Sequence, residues 1–177
     1  FKDHKEPLIR RTVITLIPAM GTYDQQAFQE LFLHRSMAHL QHQLSKPGER
    51  DAAFLAIGHL AVNLGSEMKP FIERIITNVK ESLGLRGYVQ FSKPTTCDPY
   101  CVLSSKKNAP DEKPIFQCIA MLASALGPSM TKYMHDVLDL MFQWGLTEQL
   151  RQALVVIARH IPPLLESIQG QSPVRSI

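Results

Sequence analysis

The sequence predicts an all-α fold: an α-solenoid of about four helical hairpins with one long inserted loop. Three observations predict it. The 177 residues are 45% hydrophobic but only 7% aromatic, and Leu, Ile, Ala and Met carry most of the apolar content, a mixture that favours helices over sheets. The apolar residues recur at intervals of three and four. The stretch from Leu55 to Ile76, LAIGHLAVNLGSEMKPFIERII, is also matched in step by Gln117 to Leu138, QCIAMLASALGPSMTKYMHDVL.

The first hairpin is expected over residues 7–46. Val13, Ile14, Ile17 and Met20 form the stripe of its first helix, and Phe28, Phe32, Met37, Leu40 and Leu44 that of its second. The second hairpin covers 48–83. Phe54, Ile57, Leu60, Ala61 and Leu64 line its first helix, and Met68, Phe71, Ile72, Ile75 and Ile76 its second. Gly65 divides them, because glycine enters the left-handed region freely and so ends helices. Ser66 is the expected N-cap of the helix that follows.

The third hairpin, 112–145, repeats that wording. Phe116, Ile119, Leu122, Ala123, Leu126, Gly127 and Met130 stand for Phe54, Ile57, Leu60, Ala61, Leu64, Gly65 and Met68, and Tyr133, Met134, Val137 and Leu138 continue the match, with Ser129 as the N-cap. The fourth, 147–170, places Ala153, Leu154 and Ile157 on a helix that stops near Pro162-Pro163, since proline lacks the amide and clashes with the preceding turn. Leu164, Leu165 and Ile168 open its partner.

Residues 84–112 interrupt the pattern. Gly84, Gly87, Pro94, Pro99 and Pro110 punctuate a polar stretch, read as a mobile inserted loop with one apolar clip, Tyr88, Val89 and Phe91, docking back on the helices. A lone hairpin has two apolar flanks and cannot bury both, so such units come in series. A helical pair recurring at about 40 residues is the signature of HEAT and armadillo arrays, while tetratricopeptide and ankyrin units are shorter. The ankyrin TPLH turn and the tetratricopeptide Trp-Leu-Gly-Tyr pattern are absent. Alanines clustered in the first helices let neighbours approach closely.

Charge and cysteines bound the function. Lys plus Arg is 19 against 16 Asp plus Glu, a net +3, with no basic run longer than Arg10-Arg11 or Lys106-Lys107. That gives no clustered stripe for a phosphate backbone, so no nucleic-acid partner is expected. Three cysteines, Cys97, Cys101 and Cys118, suit a reducing compartment better than a disulfide framework. No apolar run approaches about 20 residues, so no membrane insertion is expected. The chain opens Phe1-Lys2-Asp3-His4-Lys5 with neither an initiator Met nor an apolar leader, and reads as cut from something longer.

No catalytic, cofactor-binding or metal-binding residues are assigned. Cys97 and Cys101 form a C-x3-C pair, but zinc needs four converging ligands and no second pair stands near. His34, His39 and His42 read as a solvated helix face, and His59 and His160 as partly buried, hydrogen-bonded histidines. Trp144 reads as a packing residue, and Met37, Met68, Met121, Met130, Met134 and Met141 as core filling. No nucleophile elbow, phosphate-binding glycine loop or kinase H-R-D or D-F-G element is present. Ser172-Pro173 and the Ser and Thr residues of the loop are candidate phosphate acceptors.

The run from Thr12 through Leu40, the stretch ERDAAFLAIGHLAVNLGSEMKPFIERI and the stretch CIAMLASALGPSMTKYMHDVLDLMFQWGLTEQL resemble the N-terminal HEAT-repeat region of the TOR (target of rapamycin) kinases. The resemblance covers about Leu8 to Ile168 and fails in the loop. Its most specific elements are Glu49-Arg50 leading into Ala52-Ala53-Phe54, the Ile57-Gly58 step and the Leu126-Gly127-Pro128 break. It implies a non-catalytic scaffold segment of a Ser/Thr kinase whose catalytic domain lies elsewhere. It also implies protein partners, namely a second TOR protomer and a raptor-type accessory subunit, and a cytoplasmic location, peripheral at a lysosomal or vacuolar membrane within the full complex. The chain is further expected to self-associate through uncapped ends. The alternative reading is an adaptor or transport-type HEAT protein that binds peptide segments on its concave face.

Overall fold

The computed structural model describes residues 4–91, 111–164 and 168, excepting the side chains of 85–91. Among them every regular element is helical and there is no strand. Helix α1 spans Pro7–Tyr23, opening on a proline whose missing amide would have had no intrahelical partner there. Asp24 ends it and starts α2 by accepting the Ala27 amide at 3.0 Å. Helix α2 runs through Gln25–Ala27, a π-helical turn at Phe28–Phe32, and Leu33–Leu44. Helix α3 is Arg50–Leu64, and α4 is Ile72–Phe91. Helix α5 is Glu112–Leu126, with the Asp111 carboxylate accepting the Lys113 amide at 3.2 Å. Helix α6 is Thr131–Phe142 and α7 is Glu148–His160, capped by Thr147 Oγ1 accepting from the Leu150 amide at 3.2 Å.

The paired stretches take matching structure. Gly65 and Gly127 end α3 and α5 at φ of 53° and 49°, a region costly for residues with a Cβ. Short 3-10 turns, Gly65–Phe71 and Gly127–Met130, then lead into α4 and α6. Ser66 and Ser129 therefore do not cap a helix as expected. The chain enters a 3-10 turn at the glycine itself, so the serines lie within that turn, ahead of the α-helix. Phe54, Ile57, Leu60, Ala61 and Leu64 are buried, and so are Phe116, Ile119, Leu122, Ala123 and Leu126. Met68 and Met130 are both fully buried. Helix α7 ends at His160, before Pro162-Pro163, with Ala153 and Ile157 buried.

Four expectations need correction. Helix α4 continues through Gly84 and Gly87 to Phe91, so the interruption does not begin at residue 84. Gly84 has no positive φ and only open space around its missing side chain, so it is tolerated as a helical residue. Tyr88, Val89 and Phe91 lie on that helical backbone, while their proposed docking, Cys97, Cys101, Ser172 and Pro173 lie outside what is described. Phe32 is 44% exposed, and Leu33 takes its place in the core, because the π-turn inserts a residue and moves the stripe on by one. Met20 is 52% exposed, since α1 turns Ile14, Ile17, Pro18 and Gly21 inward. His59 is exposed, not partly buried.

The helices pack in order. α1 lies on α3, α3 on α5 and α5 on α7, while α2 contacts α4 and α4 contacts α6 in a second row. This arrangement is consistent with an α-solenoid. Helices α3 and α5 approach closely at Gly58. A Cβ there would lie 2.8 Å from Met121 Sδ and 3.3 Å from Cys118 Cα. The helical stretch Glu112–Phe142 is long and apolar enough, by length and composition alone, to cross a membrane, contrary to the sequence reading. It breaks at Gly127, and its apolar side packs on α3, α4 and α7.

Candidate functional site

Two features stand out above the core: a buried polar joint and a division of charge between the two rows. The joint forms where the α2–α3 turn meets α1. Glu49 is 3% exposed, and its Oε1 accepts from Arg10 Nε at 2.8 Å. Arg10 Nη1 also donates to the His4 and Lys5 carbonyls, each at 2.7 Å. Arg50, itself buried, donates from Nε to the Leu44 carbonyl at 2.9 Å, filling an acceptor left open at the end of α2. Arg11 Nε donates to the Gly48 carbonyl at 2.6 Å. Two arginines thus tie the turn to α1, and the third ties the start of α3 to the end of α2. Nearby, burial raises the Asp51 carboxyl above its usual range, Asp111 adds to the rise, and Arg11 and Arg50 oppose it.

Sequence reading singled out Glu49-Arg50 but not Arg10, whose partner lies 39 residues away. It also missed Asn63. Its Nδ2 donates to the Pro18 carbonyl at 3.3 Å, and its own carbonyl accepts from Gln25 Nε2 at 3.1 Å. No local pattern announces such links, because the partners belong to different hairpins.

The residues weighed for chemistry are not gathered into a site. His34 faces the Phe71 ring edge-on at 5.2 Å, His39 Nδ1 lies 3.4 Å from Gln43 Nε2, and His42 is exposed. His160 is half-buried and donates from Nδ1 to the Val156 carbonyl at 2.9 Å. Cys118 is fully buried, and burial pushes its thiol up to about 12. Trp144 is buried against Phe116, with ring centroids 6.1 Å apart, and donates from Nε1 to the Leu83 carbonyl at 3.0 Å. Among the described residues no three His, Cys, Asp or Glu side chains stand together as a metal cluster would require.

Charge is divided between the rows except at α7, which belongs to the first row and carries Glu148, Arg151 and Arg159. From Thr12 to Tyr23 on α1, Ala52 to Leu64 on α3 and Pro114 to Leu126 on α5 there is no Asp, Glu, Lys or Arg. The other row carries Glu30 and Arg35 on α2, Glu73, Arg74, Lys80 and Glu81 on α4, and Lys132, Asp136 and Asp139 on α6. Those charges partly pair across helices: Lys80 Nζ lies 2.6 Å from Asp136 Oδ2, and Tyr133 donates to Glu73 at 3.2 Å. Leu16, Met20 and Val62 are exposed on α1 and α3 and Val155 on α7, while Leu31 and Phe32 are exposed on α2 in the other row. Between α1 and α3 runs an open groove of about 390 Å³. Thr15, Ala19 and Thr22 form one wall, Leu55, His59 and Asn63 the other, over Pro18 and Ala56. A surface like this can bind another surface, but it offers no nucleophile and no cofactor cradle.

No family model matches the chain. It is homologous to TOR kinases over nearly its whole length. It is 31% identical to the serine/threonine-protein kinase tor1 of Schizosaccharomyces pombe over 168 residues, 95% of this chain and 6% of that kinase. It is 26% identical to the serine/threonine-protein kinase TOR2 of Saccharomyces cerevisiae over 179 residues, 97% of this chain and 6% of the kinase. It is 29% identical to the serine/threonine-protein kinase TOR of Oryza sativa subsp. japonica over 167 residues, 94% of this chain and again 6%. The chain therefore spans about 6% of the length of these relatives. A kinase lobe needs a strand to carry its phosphate-binding lysine, and the described residues form helices only. The chain matches a small, non-catalytic part of these kinases.

Proposed function

We propose that this chain is a HEAT-type α-solenoid segment of a TOR-type Ser/Thr protein kinase, acting as a scaffold. Its hairpins, 7–46, 48–83, 112–145 and 147–170, stack side by side and offer surfaces for pairing two protomers and seating accessory subunits of the raptor type. It does no bond chemistry itself. Its place is the cytoplasm, at a membrane surface only through the assembled complex. The observation that carries this reading is the serial packing of α1 on α3, α3 on α5 and α5 on α7, each helix flanked by its neighbours in the row. Homology to kinases of which it spans about 6% supplies the context.

The test is to delete residues 7–170 from the full-length kinase that carries this segment. Phosphorylation of a short peptide is expected to persist, while co-purification of accessory subunits and protomer pairing fall away. Loss of peptide phosphorylation to the same extent, or an unchanged assembly, contradicts the proposal.

A further inference from the structure

We infer that Met121 is an oxidation-sensitive site in the α3–α5 seam: a peroxide converts its thioether to the sulfoxide, and the sulfoxide loosens the packing of α5 on α3. This goes beyond the scaffold reading and depends only on the contact between those two helices. The first support is reach. The chain has seven methionines, and the described residues include them all. Met37, Met68, Met130, Met134 and Met141 are fully buried. Among the described residues only Met20, half-exposed, and Met121, half-buried, meet solvent.

The second support is where the sulfur stands. Gly58 leaves a hollow on α3, and a methyl group there would lie 2.8 Å from Met121 Sδ and 3.3 Å from Met121 Cβ. The thioether therefore takes the space that a side chain on Gly58 would fill. Cys118, one turn earlier on α5, is fully buried at the same contact. The third support is chemical. A thioether is apolar and flexible enough to fill such a hollow. On oxidation the O–O bond of hydrogen peroxide breaks and one oxygen bonds to the sulfur, which gives up two electrons. The other oxygen leaves as water. The sulfoxide is larger and polar. Left in the hollow, its oxygen is stripped of water against a helix whose mid-helix amides are already bonded within α3. Turned out to solvent, the side chain leaves the hollow at Gly58 unfilled. Both outcomes weaken the seam.

The experiment treats the folded full-length kinase carrying this segment with dilute hydrogen peroxide and reads each methionine by peptide mass spectrometry. Met20 and Met121 are expected to gain oxygen, while the five sealed methionines do not. The amides of α3 and α5 are then expected to exchange with deuterium about tenfold faster, and Cys118 to react with N-ethylmaleimide faster by a similar factor. Met121→Leu, which keeps the bulk and lacks the sulfur, is expected to abolish both changes, whereas Met20→Leu leaves them in place. Treatment with methionine sulfoxide reductases acting on both epimers is expected to reverse them. A Met121 that stays unoxidised overturns the inference. So does oxidised Met121 with unchanged exchange, or faster exchange that persists in Met121→Leu. None of these readouts depends on accessory-subunit binding, so the scaffold reading stands or falls separately.

Discussion

Glu49 and Cys118 show how burial decides what a side chain does. Glu49 is nearly sealed from water, so Arg10 is its solvent substitute. Glu49→Ala leaves the Arg10 guanidinium without its buried partner and is expected to cost about 3 kcal/mol in urea unfolding. Arg151→Ala is the contrast, because its pair with Glu148 lies in open water. That pair, with Gln152, holds the Glu148 carboxyl down to about 2, so its small contribution is present above the ordinary carboxylate range and is lost as pH falls from there through about 2. Its removal is expected to leave the unfolding midpoint at pH 7 unchanged within error. Cys118 is expected to resist thiol reagents until the chain unfolds, with labelling that tracks global unfolding in urea. Rapid labelling of the folded chain would show that the α3–α5 seam opens. The Asp51 carboxyl is expected to titrate above the usual range by carbon NMR, and Asp111→Asn to lower that midpoint by removing the neighbouring charge.

At the scale of elements, the α3–α5 seam sets how closely hairpins stack. Gly58→Ala gains helix propensity, but the new methyl meets Met121 Sδ, which can move, and Cys118 Cα, which cannot. Gly58→Leu has no such compensation and is expected to destabilise by about 1–3 kcal/mol, measured by thermal unfolding. A fully stable Gly58→Leu chain would mean the seam is looser than described. Element order was readable from sequence because three- and four-residue spacing and helix-ending glycines are local signals. Every matched position from Phe54/Phe116 to Ile76/Leu138 is buried alike, Phe71 and Tyr133 both being half-buried. Three features were not readable. The π-turn at Phe28–Phe32 comes from how α2 fits its neighbours. The run of α4 to Phe91 passes two glycines that local rules read as stops. The Arg10–Glu49 link joins residues from separate hairpins.

At the scale of the whole molecule, the helices of one row contact in series, α1 on α3, α3 on α5 and α5 on α7, and α1, α3 and α5 carry no charge over Thr12–Tyr23, Ala52–Leu64 and Pro114–Leu126. Composition alone could exclude a basic stripe, but the segregation of charge emerges only when alternate helices are placed side by side. The central claim is the open stack, in which α1 and α7 are held apart by α3 and α5. Pulsed spin-label distances between Ala19→Cys and Val155→Cys, with Cys97 and Cys101 replaced by Ser, test it directly. Three interaxial steps of 8–10 Å predict a separation of about 24–30 Å. A sharp distance near 10 Å, with α1 and α7 as direct neighbours around a closed core, would contradict it.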